Sequence, residues 1–392
     1  MTEGGTRWSA IAAIVLAGIA AAAQIGKVPA AMTTIAAQFG LTLTAAALLV
    51  ALFALLAGLG GLAIGLAASR IGARQCLLSG LALGSVASFA AAFSPGPASL
   101  FAARIAEGAG FLFVVVSAPA LIATLAATPD RAFAMGLWGI FMPTGIALGL
   151  STAPLVEAAG WRIAWLGCAA LLAGAALLCW QFVPASGVAP AAPAGRARDQ
   201  LRALVAAGRP LRVALCFAAY NVVYFGVAAF LPAYLETRGA RTGMAGAAAA
   251  VAAVAHALGN VAAGLLMRRG APPARLVAIG ALGMAVLAAG VFLAGAAWLA
   301  VALAVSASCI GGLVPAACFA LVPQSVPEPA LVPPAIGLTI QGNNLMQLLA
   351  PPLLGTLAGL GWAWLALPMI AGGMASAWLA ATLARQGPLL RQ

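Results

Sequence analysis

Residues 100–126 read LFAARIAEGAGFLFVVVSAPALIATLA, an apolar run whose only charged side chains are Arg104 and Glu107. Its length suffices to cross a bilayer, because about 20 helical residues span the roughly 30 Å hydrocarbon core. A charge near hydrocarbon costs at least ~2.5–3.5 kcal/mol, so both side chains are expected to face a protein interior or a water-filled cavity. Their spacing of three puts them on one helical face, where they are able to pair. The pair is therefore the first candidate for function, with a purely structural role as the alternative.

The composition of the whole chain extends this reading. Of 392 residues, 64% are hydrophobic and 7% are charged, whereas a soluble domain has roughly 25% charged residues. The apolar runs are continuous rather than alternating, which indicates helices and not barrel strands. The sequence predicts an all-α polytopic membrane protein with twelve transmembrane helices, at 8–34, 43–68, 75–93, 97–127, 132–157, 161–183, 211–236, 242–267, 274–294, 297–324, 334–359 and 362–384.

The distribution of arginine predicts the orientation of these spans. If the N-terminus lies inside, three arginines fall in outer loops (Arg162, Arg238 and Arg241), and fourteen fall in inner segments: Arg7, Arg70, Arg74, Arg131, Arg196, Arg198, Arg202, Arg209, Arg212, Arg268, Arg269, Arg275, Arg385 and Arg391. This bias follows the positive-inside rule and predicts cytoplasmic termini. It also explains the formal charge of +12 without nucleic-acid binding. Abundant alanine and the preference for arginine over lysine indicate a GC-rich bacterial genome, so we expect the spans to lie in a bacterial inner membrane.

The chain is predicted to consist of two six-helix halves, 1–183 and 211–392, joined by a cytoplasmic linker at 184–210. The linker is rich in proline, glycine and arginine, and its DQLRALVA portion is a candidate surface helix. The motif GLAASRIGARQCLLSGLALG after the second span recurs as GLLMRRGAPPARLVAIGALG after the eighth. TAPLVEAAGWRIAWL around the fifth and sixth spans likewise recurs as APPLLGTLAGLGWAWL around the eleventh and twelfth. Parallel repeats of six spans are typical of transporters.

Two motifs carry a resemblance to a known family. The loop from Gly65 through Ser69, Arg70 and Gly72 to Arg74 is similar to the G-x-L-x-D-R-x-G-R-R/K loop of the major facilitator superfamily. It departs from that pattern at Ser69, where aspartate is usual, and at Ala73. The lock attributed to this loop is therefore expected to rest on Arg70 and a Ser69 hydrogen bond.

The segment from Arg104 to Gly110 resembles the R-x-x-Q/E-G-x-G segment of the same superfamily, whose arginine is linked to proton coupling or substrate binding. Pro143 and Gly145 match a glycine-proline pattern in part and predict a helix kink. The resemblance implies a monomeric secondary transporter that binds a small solute and protons, without a cofactor. Stretches such as VPAAMTTIAAQFGLT are also similar to cyanate and nitroimidazole permeases.

Two further titratable side chains lie inside the predicted spans. Lys27 either snorkels to the outer surface or lines the cavity with Gln24, offering a positive charge to an anionic solute. His256, with Asn260 one turn later, is either a hydrogen-bonded structural residue or a proton sensor. We expect Lys27, His256 and a polar stripe of the eleventh span to be partners of the Arg104–Glu107 pair.

Polar stripes mark two other spans. Tyr220, Asn221 and Tyr224 share one side of the seventh span, and Gln341, Asn344 and Gln347 form a stripe in the eleventh, with Asn343 beside it. Such amides either join helices, at an average of ~0.6 kcal/mol each, or contact solute. Neither the single histidine nor the six cysteines, which lack CxxC spacing, indicate a metal site.

The sequence favours a proton-linked secondary transporter that works by rocking of its halves around a central site. Embedded positive charges exceed negative ones by one, which favours a small anionic or neutral polar solute. The alternative is a proton-driven multidrug or toxic-compound exporter. An enzyme is not expected, because catalytic sets of paired carboxylates, Ser–Lys, Ser–His or metal ligands are not seen. A receptor would need a soluble signalling domain, and a static channel fits poorly with unequal halves and a linker.

Overall fold

The computed structural model describes residues 5–41, 43–185, 197–240 and 242–386. Its helices in chain order are α1 (Trp8–Phe39), α2 (Leu43–Ile71), α3 (Ala73–Ala92), α4 (Pro97–Leu125), α5 (Thr128–Trp138), α6 (Phe141–Leu150), α7 (Ala153–Ala159), α8 (Trp161–Phe182), α9 (Ala197–Ala207), α10 (Arg209–Thr237), α11 (Thr242–Arg268), α12 (Pro273–Leu293), α13 (Ala297–Gly311), α14 (Leu313–Ser325), α15 (Val332–Leu360) and α16 (Ala366–Gln386). Short 3₁₀ turns lie at Pro329–Leu331 and Trp362–Leu365. The all-α class is confirmed.

Within the described residues, eleven helical stretches are long and apolar enough to cross a membrane. The remaining predicted span is α15, a continuous helix of 29 residues. Its amides and its paired Pro351 and Pro352 lower its hydropathy, because each amide carries polar atoms that hydrocarbon cannot solvate. This helix contains the predicted amide stripe.

Two predicted spans are broken helices rather than straight ones. The fifth divides into α5, α6 and α7, with its first break at Gly139 and Ile140, just before Pro143. The tenth divides into α13 and α14 at Gly312, three residues before Pro315. Each proline lacks the N–H that would continue the helical ladder to the residue four positions earlier. The kink predicted from Pro143 and Gly145 is therefore confirmed.

The described chain forms two compact units. Unit 1 contains residues 1–131, 141–200 and 330–340, and unit 2 contains 132–140, 201–329 and 341–392. The division of the chain at 184–210 remains a prediction. Residues 186–196, with Arg196, lie outside the described residues, as do Arg241 and Arg391. The short helix expected within the linker is confirmed as α9.

Glycines permit close backbone contacts inside each unit. In unit 1, a Cβ on Gly65 of α2 would lie 2.7 Å from both the Pro333 carbonyl oxygen and the Pro334 Cα. In unit 2, a Cβ on Gly136 of α5 would lie 2.8 Å from the Gly264 Cα of α11. Small residues allow membrane helices to approach in this way, since lipid gives them little hydrophobic reason to associate.

The core of unit 1 brings α1, α2, α3, α4 and α8 around one buried region. An apolar cluster on one side of it includes Val28, Leu49, Leu100, Trp161 and Trp165. The two tryptophan rings meet edge to face with centroids 5.1 Å apart, a favoured aromatic geometry. This cluster excludes water from that side of the charged residues described next.

Candidate functional site: a buried ion triad and an aromatic–amide cluster

Lys27, Glu107 and Arg104 form a continuous ion triad inside unit 1. The Lys27 Nζ lies 2.7 Å from Glu107 Oε1, and Arg104 Nη1 lies 2.7 Å from Glu107 Oε2. All three side chains are buried. The Arg104–Glu107 pairing expected from their spacing is present, and Lys27, one of the candidate partners, contacts the same carboxylate. Burial of the ammonium group excludes the alternative in which Lys27 snorkels to a surface.

The two cations have further partners that the sequence reasoning missed. Lys27 Nζ donates to Ser88 Oγ at 2.7 Å and lies 4.5 Å from the centre of the Trp165 ring. Ser88 in turn donates to the Trp165 carbonyl oxygen at 2.9 Å. Ser88 is one of three serines in the apolar helix α3, and nothing in their spacing indicates that this one contacts Lys27 on α1.

Arg104 is held on its other side by α2. Its Nε donates to the Leu49 carbonyl oxygen at 2.8 Å, and its guanidinium carbon lies 3.8 Å from the centre of the Phe53 ring. A planar guanidinium with several donors suits such combined stacking and hydrogen bonding. Its Nη2 is buried and, within the described residues, has no hydrogen-bond partner.

Gln24 lies one turn before Lys27 in the same buried region. Both atoms of its amide are buried and unpaired within the described part of the chain. It lines a narrow crevice together with Glu107 and the glycines Gly80, Gly84 and Gly110. Leaving a buried polar group unpaired costs ~1–3 kcal/mol, so the amide is retained here at the expense of stability.

The backbone beneath Lys27 is fixed by a close crossing of α1 and α6. A Cβ on Gly149 would lie 2.6 Å from the Lys27 backbone nitrogen, and a Cβ on Gly26 would contact the Ile146 carbonyl oxygen. Gly145 meets α1 at Ala22 in the same manner. The partial glycine-proline pattern therefore positions the helix that carries Gln24 and Lys27.

His256 lies in an aromatic cluster of unit 2. Its ring centroid is 4.7 Å from that of Tyr224 and 6.5 Å from that of Tyr220. His256 Nδ1 lies 3.2 Å from the Ser308 carbonyl oxygen, and because a carbonyl only accepts, Nδ1 carries the hydrogen. In the neutral ring, Nε2 is consequently left with a lone pair that is able to take a proton without breaking the Ser308 bond.

Polar atoms of the same unit surround this cluster. Asn221 Nδ2 donates to Asn343 Oδ1 at 2.6 Å, which joins α10 to α15. Asn260 Nδ2 donates to the His256 carbonyl oxygen at 3.1 Å. The Tyr220 hydroxyl and Asn260 Oδ1 are buried without a partner in the described residues. Asn344 is buried, while Gln341 and Gln347 are half-buried.

The residues of the Gly65–Arg74 loop, between α2 and α3, have different structural roles. Gly72 has φ +89° at the turn into α3, a conformation that favours glycine. Arg74 donates to the Val183 and Trp180 carbonyl oxygens at 2.8 and 3.0 Å, so it closes the end of α8.

Ser69 makes the hydrogen bond expected of it. Its hydroxyl lies 2.8 Å from the Leu66 carbonyl oxygen and 3.2 Å from Gln200 Oε1 on α9. Arg70 is exposed.

The two groups of candidate site residues lie in different units. The triad and Gln24 belong to unit 1, and the aromatic–amide cluster with its α15 stripe belongs to unit 2.

These features define a multi-pass membrane protein with charged and polar groups buried inside its helices. A family model described as Major Facilitator Superfamily matches residues 10–332. The chain belongs to the Major Facilitator Superfamily, and it is a transporter rather than an enzyme.

Solved structures share this fold, and one curated relative matches part of the chain. The proton:xylose symporter XylE, bound to 6-bromo-6-deoxy-D-glucose, has a TM-score of 0.77 and 15% identity over 97% of this chain and 95% of its own. The E. coli fucose:proton symporter FucP has a TM-score of 0.78 and 16% identity over 96% and 98%. The methylenomycin A resistance protein of Streptomyces coelicolor is 36% identical over 101 residues, 25% of this chain. That match spans 21% of the resistance protein's length.

Proposed function

We propose that this protein is a proton-coupled secondary transporter of a small anionic or neutral polar solute. The observation that carries the proposal is the Lys27–Glu107–Arg104 triad, in which two buried cations share one carboxylate. Ionisable residues inside a membrane protein are expensive and mark substrate or ion pathways. A purely structural set would be expected to balance its charges.

The charge balance of the triad favours an anion over a cation. Its formal charge is +1, from two cations and one carboxylate, and Arg104 Nη2 has an unused donor. Such a guanidinium edge matches a carboxylate or a phosphate. A neutral polar solute with a carbonyl group would satisfy the same donor, so both classes belong to the proposal.

Proton coupling would arise because the solute and Glu107 compete for the same two cations, Lys27 and Arg104. When an anionic solute binds Arg104 or Lys27, Glu107 loses part of its compensation in water-poor surroundings. Uptake of a proton removes the uncompensated negative charge, since an unpaired buried charge is strongly unfavourable. Release of that proton restores the triad. The Gln24 amide, which lines the same crevice as Glu107, is the nearest candidate to pass the proton.

His256 is a second candidate proton carrier. Its Nδ1–H is occupied by the Ser308 carbonyl, so Nε2 is the site that changes protonation. Tyr220, Tyr224 and Asn260 are the polar side chains that contact it directly or through its own carbonyl.

For the transport cycle, we infer that the halves 1–183 and 211–392 rock about a central site, with 184–210 as their linker. The contacts of Gly65 with Pro333 and of Gly136 with Gly264 each join the first half of the chain to the second. They support this proposal, because backbone surfaces without interlocking side chains are able to separate and close. A monomer in the bacterial inner membrane with cytoplasmic termini completes the proposal.

The first experiment identifies the solute. Purified protein is screened by thermal shift against small carboxylates, phosphates, polyols and antibiotics, because a bound ligand raises apparent stability by mass action. Hits are then measured for transport in proteoliposomes with and without a pH gradient. Equal uptake under both conditions contradicts proton coupling.

A second candidate function is the export of a toxic compound. It is favoured by the 36% identity to a methylenomycin A resistance protein over 101 residues. Expression in a drug-sensitive host separates the candidates. Raised resistance to methylenomycin A or to antibiotic hits, with lower cellular drug content, supports export, whereas unchanged resistance together with carboxylate uptake supports the first proposal.

A further inference from the structure

A cavity opens at the end of unit 2 where α10 and α12 begin and α14 and α16 end. It measures about 170 Å³, several times what a single water molecule needs. Arg209, Gln324 and Ser325 supply its polar lining, and the remainder is mainly apolar, including Val213 and Ala274. This cavity is separate from the ion triad and from the aromatic–amide cluster.

One arginine lines the cavity, and three more lie close to its lining residues along the chain. Arg209 is half-buried in its wall, and Arg275 and Arg385 are exposed chain neighbours of the lining residues Ala274 and Ala384. Arg212 lies one turn into α10 from Arg209. The acid nearest along the chain is Glu328, which is exposed and three residues past Ser325. The charged lining residue is thus a cation, and the residues next to the lining along the chain add more arginines than acids, which favours an anionic ligand.

The apolar part of the wall discriminates between anions. A free inorganic anion gains nothing from apolar walls, whereas a lipid places its phosphate on arginine and its glycerol and first methylenes on the apolar surface. The site lies where four membrane helices begin or end, which is the depth of lipid headgroups. Basic pockets between transmembrane helices bind anionic headgroups.

We propose that this cavity binds the phosphate headgroup of an acidic phospholipid, with Arg209 as its principal ligand. The site is expected in the cytoplasmic leaflet, given the predicted orientation. The inference does not depend on which solute is transported.

The test is binding of phosphatidylglycerol to the full chain in detergent, measured by native mass spectrometry and thermal shift. We expect Arg209→Gln to weaken binding about fivefold to tenfold, since one arginine near an anionic surface is worth ~1 kcal/mol. Ala384→Trp, which fills the cavity from an exposed position, should weaken it as well. Arg238→Gln, at the other end of α10, is the matched control and should bind as the parent does.

Two further binding measurements, with phosphatidylcholine and with inorganic phosphate, test the identity of the ligand. If phosphatidylcholine binds as well as phosphatidylglycerol, or if both cavity variants bind phosphatidylglycerol as the parent does, the proposal is overturned. If millimolar inorganic phosphate stabilises the parent but not Arg209→Gln, and phosphatidylglycerol adds nothing, the ligand is free phosphate and the lipid assignment is wrong.

Discussion

Lys27 Nζ lies 2.7 Å from Glu107 Oε1 although the residues are 80 positions apart, and neither side chain is exposed. The pair joins α1 to α4 through the interior of unit 1. Removing one partner of a buried pair typically costs about 3–5 kcal/mol, because the other charge is left without compensation. Because the triad has two cations and one carboxylate, removing the carboxylate and removing a cation should destabilise the protein by different amounts.

Removal of the shared carboxylate should destabilise the protein more than removal of one cation. Glu107→Gln leaves Lys27 and Arg104 facing each other without compensation, whereas Lys27→Met leaves a balanced Arg104–Glu107 pair. We expect Glu107→Gln to lower the melting temperature in detergent more than Lys27→Met does. An equal or larger loss for Lys27→Met would show that Lys27 and not Glu107 is the centre of the triad.

Ser88 should contribute more to stability than its neighbour Ser85. Both belong to α3 and donate to carbonyl oxygens of α8, but Ser88 also accepts from Lys27. Ser88→Ala leaves the buried ammonium one partner short, at a cost of ~1–3 kcal/mol. Ser85→Ala is the matched control and should cost less than about 1 kcal/mol. Equal melting temperatures for the two variants would contradict the assigned contact.

Replacement of Gln24 should separate stability from transport. Its amide is buried and unpaired among the described residues, so Gln24→Leu removes a desolvation penalty and is expected to raise stability by roughly 1 kcal/mol. If the amide serves solute or proton movement, transport of the identified solute falls in the same variant. A stable variant with full transport would show that Gln24 has no part in the mechanism.

The crossing of α1 and α6 should not tolerate even one methyl group. Gly149→Ala places a Cβ 2.6 Å from the Lys27 backbone nitrogen, so the helices must move apart, at ~1–3 kcal/mol. Gly174→Ala on α8 is the control, because its Cβ meets nothing within 4 Å. Comparable stability and transport of the two variants would contradict the positioning role of Gly149.

The sequence predicted the spans and the buried Arg104–Glu107 pair because both depend on local composition and helical spacing. It did not predict Ser88 and Trp165 as partners of Lys27, since contacts between helices that are apolar on every face leave no periodic signal. The sequence also did not predict that residues 132–140, from the first half of the chain, belong to unit 2, or that residues 330–340, from the second half, belong to unit 1. That arrangement depends on glycine contacts between distant segments, as at Gly136 and Gly264.

The most direct test compares two transport modes of Glu107→Gln in proteoliposomes, using the solute found by thermal shift. Solute exchange at equal pH on both sides needs no net proton movement, whereas accumulation against a gradient driven by pH does. We predict that Glu107→Gln retains exchange and loses pH-driven accumulation, with Ser85→Ala retaining both. Intact pH-driven accumulation in Glu107→Gln would contradict proton coupling through the triad.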